Sequence, residues 1–232
     1  MSPERIAPVI AIDGPSASGK GTVAAEVARA LGFHYLDSGA LYRLATLAAL
    51  RAGADLDDEE ALARLARGMD VQFRGGRTWL DGRDVTEEVR TEDVSAAASR
   101  VAARPRVRDA LLTRQHAFRA FPGLVADGRD MGSVVFPDAP LKVYLTAALG
   151  TRAERRYKQL KEKGMYAKMS DVVEELRRRD ERDSSRPVAP LKHYPDAVFL
   201  DTTGLAVDQA VAKILEWWRE KIRGIGRSSQ PG

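Results

Sequence analysis

The sequence predicts an α/β fold: a five-stranded parallel sheet with helices on its faces, plus a small antiparallel β insertion. Three observations predict it. Short apolar runs alternate with helix-patterned stretches along most of the chain. The first run ends in a Gly-rich loop that leads at once into a helix-forming stretch. One region breaks this rhythm, with residue-by-residue alternation and paired turn signals.

VIAID (9–13) reads as a buried strand, and KGTVAAEVARALG (20–32) as a helix stopped by Gly32. FHYLD (33–37) is a second strand. SGALYRLATLAALRAG (38–53) is helical, with Ser38 as its expected cap and Gly53 as its stop. MDVQFRGGRTWLDGRDVTEEV (69–89) alternates, and Gly75-Gly76 and Asp81-Gly82 supply hairpin turns. PRVRDALLTRQHAFRAF (105–121) is a helix with Pro105 in its first turn. LVADG (124–128) and LKVYLTA (141–147) are strands, and TRAERRYKQLKEKG (151–164) and SDVVEELRRRDERD (170–183) are helices. AVFLD (197–201) is the last strand and AVDQAVAKILEWWREKI (206–222) the last helix. Residues 224–232, poor in apolar side chains, are expected to form a disordered tail. Helices between successive buried strands argue for right-handed crossovers in one parallel sheet.

With 232 residues, 44% of them hydrophobic, the chain can bury one sizeable core as a single domain. No apolar run approaches the ~18 residues of a membrane span, and MSPERIAPVI lacks a signal-peptide core. A cytoplasmic location without membrane partners is therefore expected. There is no cysteine, and His34, His116 and His193 are scattered, so no metal-ligand cluster is expected from these residues. The net charge of +4 spreads 37 basic residues against 33 acidic ones with no basic, aromatic-rich tract. A site for anionic nucleotides accounts for that excess as well as nucleic acid does. A monomer is expected, since no large apolar stripe is left over.

The loop Gly14-Pro15-Ser16-Ala17-Ser18-Gly19-Lys20 fits G-x-x-x-x-G-K between a strand and a helix. Backbone N–H groups converge there, the helix dipole adds positive potential, and Lys20 supplies a full charge for outer phosphates. Against this stands a tight strand–helix turn with a chance lysine. Gly21 occupies the place where a magnesium-binding hydroxyl usually follows the lysine, with Thr22 one residue later. A glycine suits an unusual phosphate approach or a tightly packed helix.

Ser38 and Arg43 in LDSGALYR can face one anion, though a capped helix with a solvent-facing arginine fits them equally. In VADGRDMGSVVFPDA, Asp127 can orient magnesium-bound water or a nucleophile and Arg129 can clamp a phosphate. The bland alternative is a turn that bridges Arg to Asp. Arg152, Arg155 and Arg156, and Arg179, Arg182 and Arg186 with Asp180 and Asp183, usually make solvated helix faces. A phosphoryl-transfer enzyme would instead close such guanidinium groups over the transferring group.

IDGPSASGKGT, YLDSGALYR, SAAASRVAARPRVR, DGRDMGSVVFPDA and RRRDERDSSRPVAPL, in this order over roughly residues 8–220, resemble the bacterial cytidylate kinases, which are nucleoside monophosphate kinases of the P-loop class. The resemblance implies a P-loop kinase fold with an acceptor-binding region at about 38–100, the β insertion at 69–89 and a short helical lid at about 151–165. It implies transfer of the γ-phosphoryl group of ATP to CMP or dCMP with Mg²⁺ as cofactor. Mg²⁺ would be held mainly by nucleotide and water, with Asp127 as the one protein candidate.

Carried over by position, Gly14 through Thr22 hold ATP phosphates, joined by Arg152 and Arg156, while Lys20, Arg129 and Arg155 are catalytic. Ser38, Arg43, Arg129 and Arg186 meet the acceptor phosphate; Ser99, Arg108 and Asp130 read the base; Arg179 and Asp183 lie near the sugar. Chemistry supports Asp130, because a carboxylate accepts from the cytosine amino group and repels the uracil carbonyl. Two rivals share the loop. A shikimate-type kinase would not need the later Arg and Asp set, and a regulatory or nucleic-acid-binding NTPase would bind single-stranded RNA without competition from CMP.

Overall fold

The run VIAID forms β1 (Val9–Asp13), and all five residues are buried. Burial on both faces is what a central parallel strand requires, and it explains a continuous apolar run. The computed structural model describes residues 6–74 and 76–227. They fall into two compact units, Met1–Leu36 with Phe118–Gly232, and Asp37–Ala117.

In the first unit β1 leads through the Gly-rich loop into α1 (Lys20–Leu31) and β2 (His34–Asp37). After residue 117 come β6 (Leu124–Gly128), a π-helical turn (Met131–Val135), β7 (Leu141–Thr146), α6 (Leu149–Glu162), α7 (Met169–Ser185), β8 (Val198–Asp201) and α8 (Val207–Arg227). The five strands make one parallel sheet, as the sequence predicts, in the order β2-β6-β1-β7-β8. In register, Asp13 pairs with Gly128 of β6 and with Tyr144 of β7. The carboxyl ends of three adjacent strands therefore meet, which is where parallel sheets carry ligands. Val23, Ala24 and Val27 of α1 pack with Ile214 and Trp218 of α8 on Ile10, Ile12, Val143 and Leu145. A separate cluster of Ala153, Leu160, Val172 and Leu176 joins α6 to α7.

The second unit holds α2 (Ser38–Arg51), α3 (Glu59–Gly68), a three-stranded sheet, α4 (Glu92–Val101) and α5 (Pro105–His116). The sheet, β3 (Val71–Arg74), β4 (Arg77–Leu80) and β5 (Arg83–Asp84), is antiparallel, as expected of the insertion. Asp81 and Gly82 both take positive φ, 50° and 77°, as a two-residue hairpin turn demands.

The cap of α2 differs from expectation. Asp37, not Ser38, is the N-cap: its Oδ1 accepts from the Ala40 N–H at 3.0 Å, and Ser38 is the first helical residue. The helices α3 and α4 were not expected from the pattern. The helix starting at Pro105 ends at His116, short of 121. Because α5 packs on α3, this unit runs to Ala117, beyond the 38–100 of the motifs. Helix α8 continues to Arg227, into the stretch expected to be disordered; 228–232 lie outside the described residues.

Candidate functional site

The site is built first on the loop after β1. A Cβ at Gly14 would lie 1.9 Å from the Leu145 carbonyl oxygen of β7, so strand packing alone demands glycine here. Gly19 takes a φ of +91°, in the left-handed region that favours glycine. The loop's carbonyls are claimed by side chains. Pro15 O accepts from Ser18 Oγ at 3.0 Å and from Lys20 Nζ at 3.3 Å. Ser16 O accepts from Arg152 at 3.2 Å, and Ser18 O accepts from Arg155 at 2.9 Å and Thr202 Oγ1 at 3.1 Å. Carbonyls drawn aside in this way leave the loop's N–H groups and the start of α1 to face an anion.

Arg155 is thus already seated on the loop. It also donates to Thr202 O at 2.7 Å and Thr202 Oγ1 at 3.2 Å. Arg152 is buried and held by Ala147 O and by Asp180 at 2.7 Å. These two side chains of α6 brace the loop. Arg156 is half-buried, Pro15 is buried, and Thr22 is exposed on the first turn of α1. Ala17 takes a φ of 58° and its methyl packs against the α6–α7 cluster.

Gly21 faces a polar pair. A Cβ there would sit 3.4 Å from Asp127 Oδ2 and 3.6 Å from the Tyr35 hydroxyl. Those are ordinary contacts, so tight packing is not the reason for the glycine. The Tyr35 hydroxyl itself donates to Asp127 Oδ1 at 3.3 Å. A hydroxyl and a carboxylate from β2 and β6 therefore stand where a serine after the lysine would project.

Beside the loop lies a network of arginines and carboxylates. Arg129 donates from Nη2 to Ser16 Oγ at 2.8 Å, from Nε to Asp183 at 2.6 Å, and from Nη1 to Gly128 O at 3.1 Å. Burial opposes its charge most strongly, but Asp183, Asp127 and Asp180 together outweigh burial and hold the guanidinium above its ordinary value. Burial likewise pushes Asp183 up, but Arg129, with Arg179 and Arg186, keeps it below the ordinary carboxylate value. Asp130 is buried, with Arg186 Nη2 3.9 Å away, and Arg186 donates from Nε to Ala189 O at 2.6 Å.

Asp13 completes this end of the sheet. Burial pushes its carboxyl up from 3.8 to about 6 against two backbone hydrogen bonds, and the Asp130 charge adds to the rise. Such a group stabilises the fold fully below 3.8, and this contribution is lost as pH rises through about 6. The shift corresponds to about 3 kcal/mol. Denaturant unfolding of wild type and Asp13→Asn at pH 4 and pH 7 should therefore show the gap moving toward the variant by up to about 3 kcal/mol. A gap independent of pH would remove this assignment.

The remaining expected residues belong to the second unit. Arg43 pairs with Asp37 at 2.8 Å, and its Nε is buried without a hydrogen bond. Gly39 leaves room for this pair: a Cβ there would lie 3.1 Å from both partners. Ser38 and Ser99 are buried. Arg108, also buried, donates to Ala102 O at 3.2 Å at the end of α4 and lies over the Tyr42 ring at 5.7 Å. Within this unit the expected acceptor residues thus form two places: Ser38 and Arg43 at the start of α2, and Arg108 beside the helix that carries Ser99.

Sequence reasoning missed Asp13, which binds the backbone next to Asp130, and Tyr35 and Thr202, which touch expected site residues. Asp13 had a signal: a lone carboxylate ending a wholly apolar strand directly before the loop. Tyr35 and Thr202 had none, since ordinary residues within or just after a strand look the same.

Residues 10–220 match the family model described as cytidylate kinase. A cytidylate kinase of Chromobacterium violaceum is 58% identical over 214 residues, covering 92% of this chain and 96% of that protein. One from Paraburkholderia phymatum is 58% identical over 93% of this chain and 94% of its own length. One from Nitrosomonas europaea is 56% identical over 92% and 96%.

Proposed function

The chain belongs to the cytidylate kinase family, and from that premise we propose how its residues share the work of transferring the γ-phosphoryl group of ATP to CMP or dCMP, giving ADP and CDP or dCDP. The observation that carries the division of roles is the hydrogen bond from Arg129 to Ser16 Oγ. It ties the loop that bears Asp130 to the loop that would hold the donor phosphates.

In this reading residues 14–22 receive the phosphates of ATP through backbone N–H groups and Lys20. Arg152 and Arg155 keep the loop in shape through its carbonyls. Arg129 stands between donor and acceptor phosphates and neutralises charge as the acceptor oxygen attacks in line. Arg43 and Arg186, with Ser38, take the acceptor phosphate. Asp130, Ser99 and Arg108 read cytosine, and Arg179 and Asp183 lie by the sugar. Residues 37–117 supply the acceptor-binding region, and the lid lies at about 151–165. No covalent intermediate is needed. ATP and CMP or dCMP are the partners of this reading, with the protein acting as a cytoplasmic monomer in pyrimidine nucleotide metabolism.

The residues present fit Mg²⁺. Asp127 offers a hard carboxylate beside the start of α1, oriented by Tyr35. A single protein carboxylate suits an ion that keeps most of its water and takes its other ligands from phosphates. When bound with ATP, the ion shields phosphate charge. Calorimetric titration of nucleotide-free protein with Mg²⁺ is expected to show no tight site, and tight binding there would contradict the assignment.

The test of the whole reading is kcat/KM for CMP and UMP with ATP. Asp130→Asn should cost CMP about 1–3 kcal/mol and narrow its advantage over UMP, because an amide can donate to the uracil carbonyl. Equal losses for both acceptors would show that Asp130 does not read the base.

A further inference from the structure

Asp13 lies on β1, outside every motif that points to the acceptor. Yet its carboxylate reaches the loop after β6. Oδ1 accepts from the Met131 N–H at 2.8 Å, and Oδ2 accepts from the Gly132 N–H at 2.9 Å. We propose that Asp13 is a positioning residue for acceptor recognition, its two oxygens fixing the backbone from which Arg129 and Asp130 project.

The geometry supports this from both sides of Asp130. Behind it, the Asp130 carbonyl accepts from Val134 N at 2.9 Å and Val135 N at 3.2 Å, which closes the π-helical turn. The next two N–H groups, free at the start of any such turn, go one each to the two oxygens of Asp13. The side chain of Asp130 makes no cap of its own turn. The cap comes instead from a strand 118 residues earlier. Asn cannot replace Asp13 here, since an amide accepts at only one end and would set an N–H against the other backbone donor. Burying a carboxylate is costly. A strand that needed only an end would not carry one. The charged groups facing Asp13 are Asp130 and Arg129, the two residues the loop presents.

The inference rests on the proposed roles of Arg129 and Asp130, so the experiment includes Asp130→Asn as a reference. Binding of CMP and of ATP would be measured separately by calorimetry for wild type and Asp13→Asn, and kcat/KM for CMP and UMP for both variants. Asp13→Asn is expected to weaken CMP about tenfold and to shrink the CMP-to-UMP ratio, with ATP affinity held within about twofold, because the lost acceptor serves the acceptor loop alone. Equal weakening of ATP and CMP would reduce Asp13 to a general structural role and overturn the proposal. If Asp130→Asn collapses the CMP-to-UMP ratio while Asp13→Asn leaves it intact, the positioning role falls and the site reading stands. If Asp130→Asn leaves the ratio intact, the site reading falls and takes this inference with it.

Wild-type protein supplies a second measurement, independent of how the variant folds. The amides of Met131 and Gly132 should exchange as slowly in free protein as those of β1, with no change on adding CMP. Fast exchange that slows only with CMP would show a loop set by ligand, not by Asp13.

Discussion

Lys20→Ala is expected to fold at close to wild-type stability and to lose turnover by about 100- to 1,000-fold, the usual loss for one charged donor to a transition state. The structure separates the two effects. Lys20 is the first residue of α1, and the contact it makes within the loop is a long one, from Nζ to Pro15 O at 3.3 Å. Losing a neutral-acceptor bond of this kind costs about 1 kcal/mol of stability. The loop does not depend on Lys20 for its shape, because Arg152, Arg155, Ser18 and Thr202 hold its carbonyls. Thermal unfolding and steady-state kinetics on the same preparation check both halves. A variant with near wild-type kcat would remove Lys20 from the catalytic set.

How much of this was legible depends on how far apart the partners lie. The sheet was legible because β1 and β6 are buried on both faces, so the apolar runs are unbroken. The turn at Asp81-Gly82 was legible because few residues tolerate two successive positive φ values. The helices α3 and α4 escaped notice because alanine supplies much of their buried stripe: Ala63 and Ala66 in one, Ala97 and Ala98 in the other. The wrong cap at α2 has a local cause. Asp37 and Ser38 are both good caps, β2 runs into α2 without a loop, and the carboxylate reaches the third residue on. The helix α5 stops early, and Arg119 beyond it is bound to Ala7 O at 2.7 Å and Asp138 at 2.8 Å.

The site was legible as a set of residue types and illegible as a set of pairs. Arg129 was expected to meet a phosphate, and nothing local says that it holds Asp183, 54 residues on, or Ser16, 113 residues back. Asp13 and Gly132 are likewise joined only by the register of β1 with β6. Such contacts follow from sheet order, and sheet order is not written in any one window of sequence.

Arg129→Ala is expected to have the largest combined effect. Activity should fall by about 1,000-fold or more, since one guanidinium shields phosphate charge and ties two loops together. Stability should fall as well. Asp183 is 6% exposed and its main partner is Arg129, so the variant buries a carboxylate without its main counter-charge, at up to about 3–5 kcal/mol. The sign of the pH dependence follows from the depressed carboxyl of Asp183. In wild type its stabilisation is present above the unfolded value of 3.8 and lost as pH falls through the lower folded value. In the variant the Arg129 share of that stabilisation is gone, so the stability gap to wild type should shrink as pH is lowered below 3.8. A second change separates folding from chemistry. Arg129→Met combined with Asp183→Asn removes both charges and should recover most of the lost stability, because the neutral pair leaves no buried ion. It should recover none of the lost activity, because the guanidinium proposed to stand between donor and acceptor phosphates is still missing. The double variant is the deciding measurement. If it regains turnover together with stability, Arg129 serves the fold, and the charge that meets the phosphates must come from Lys20, Arg43 or Arg186.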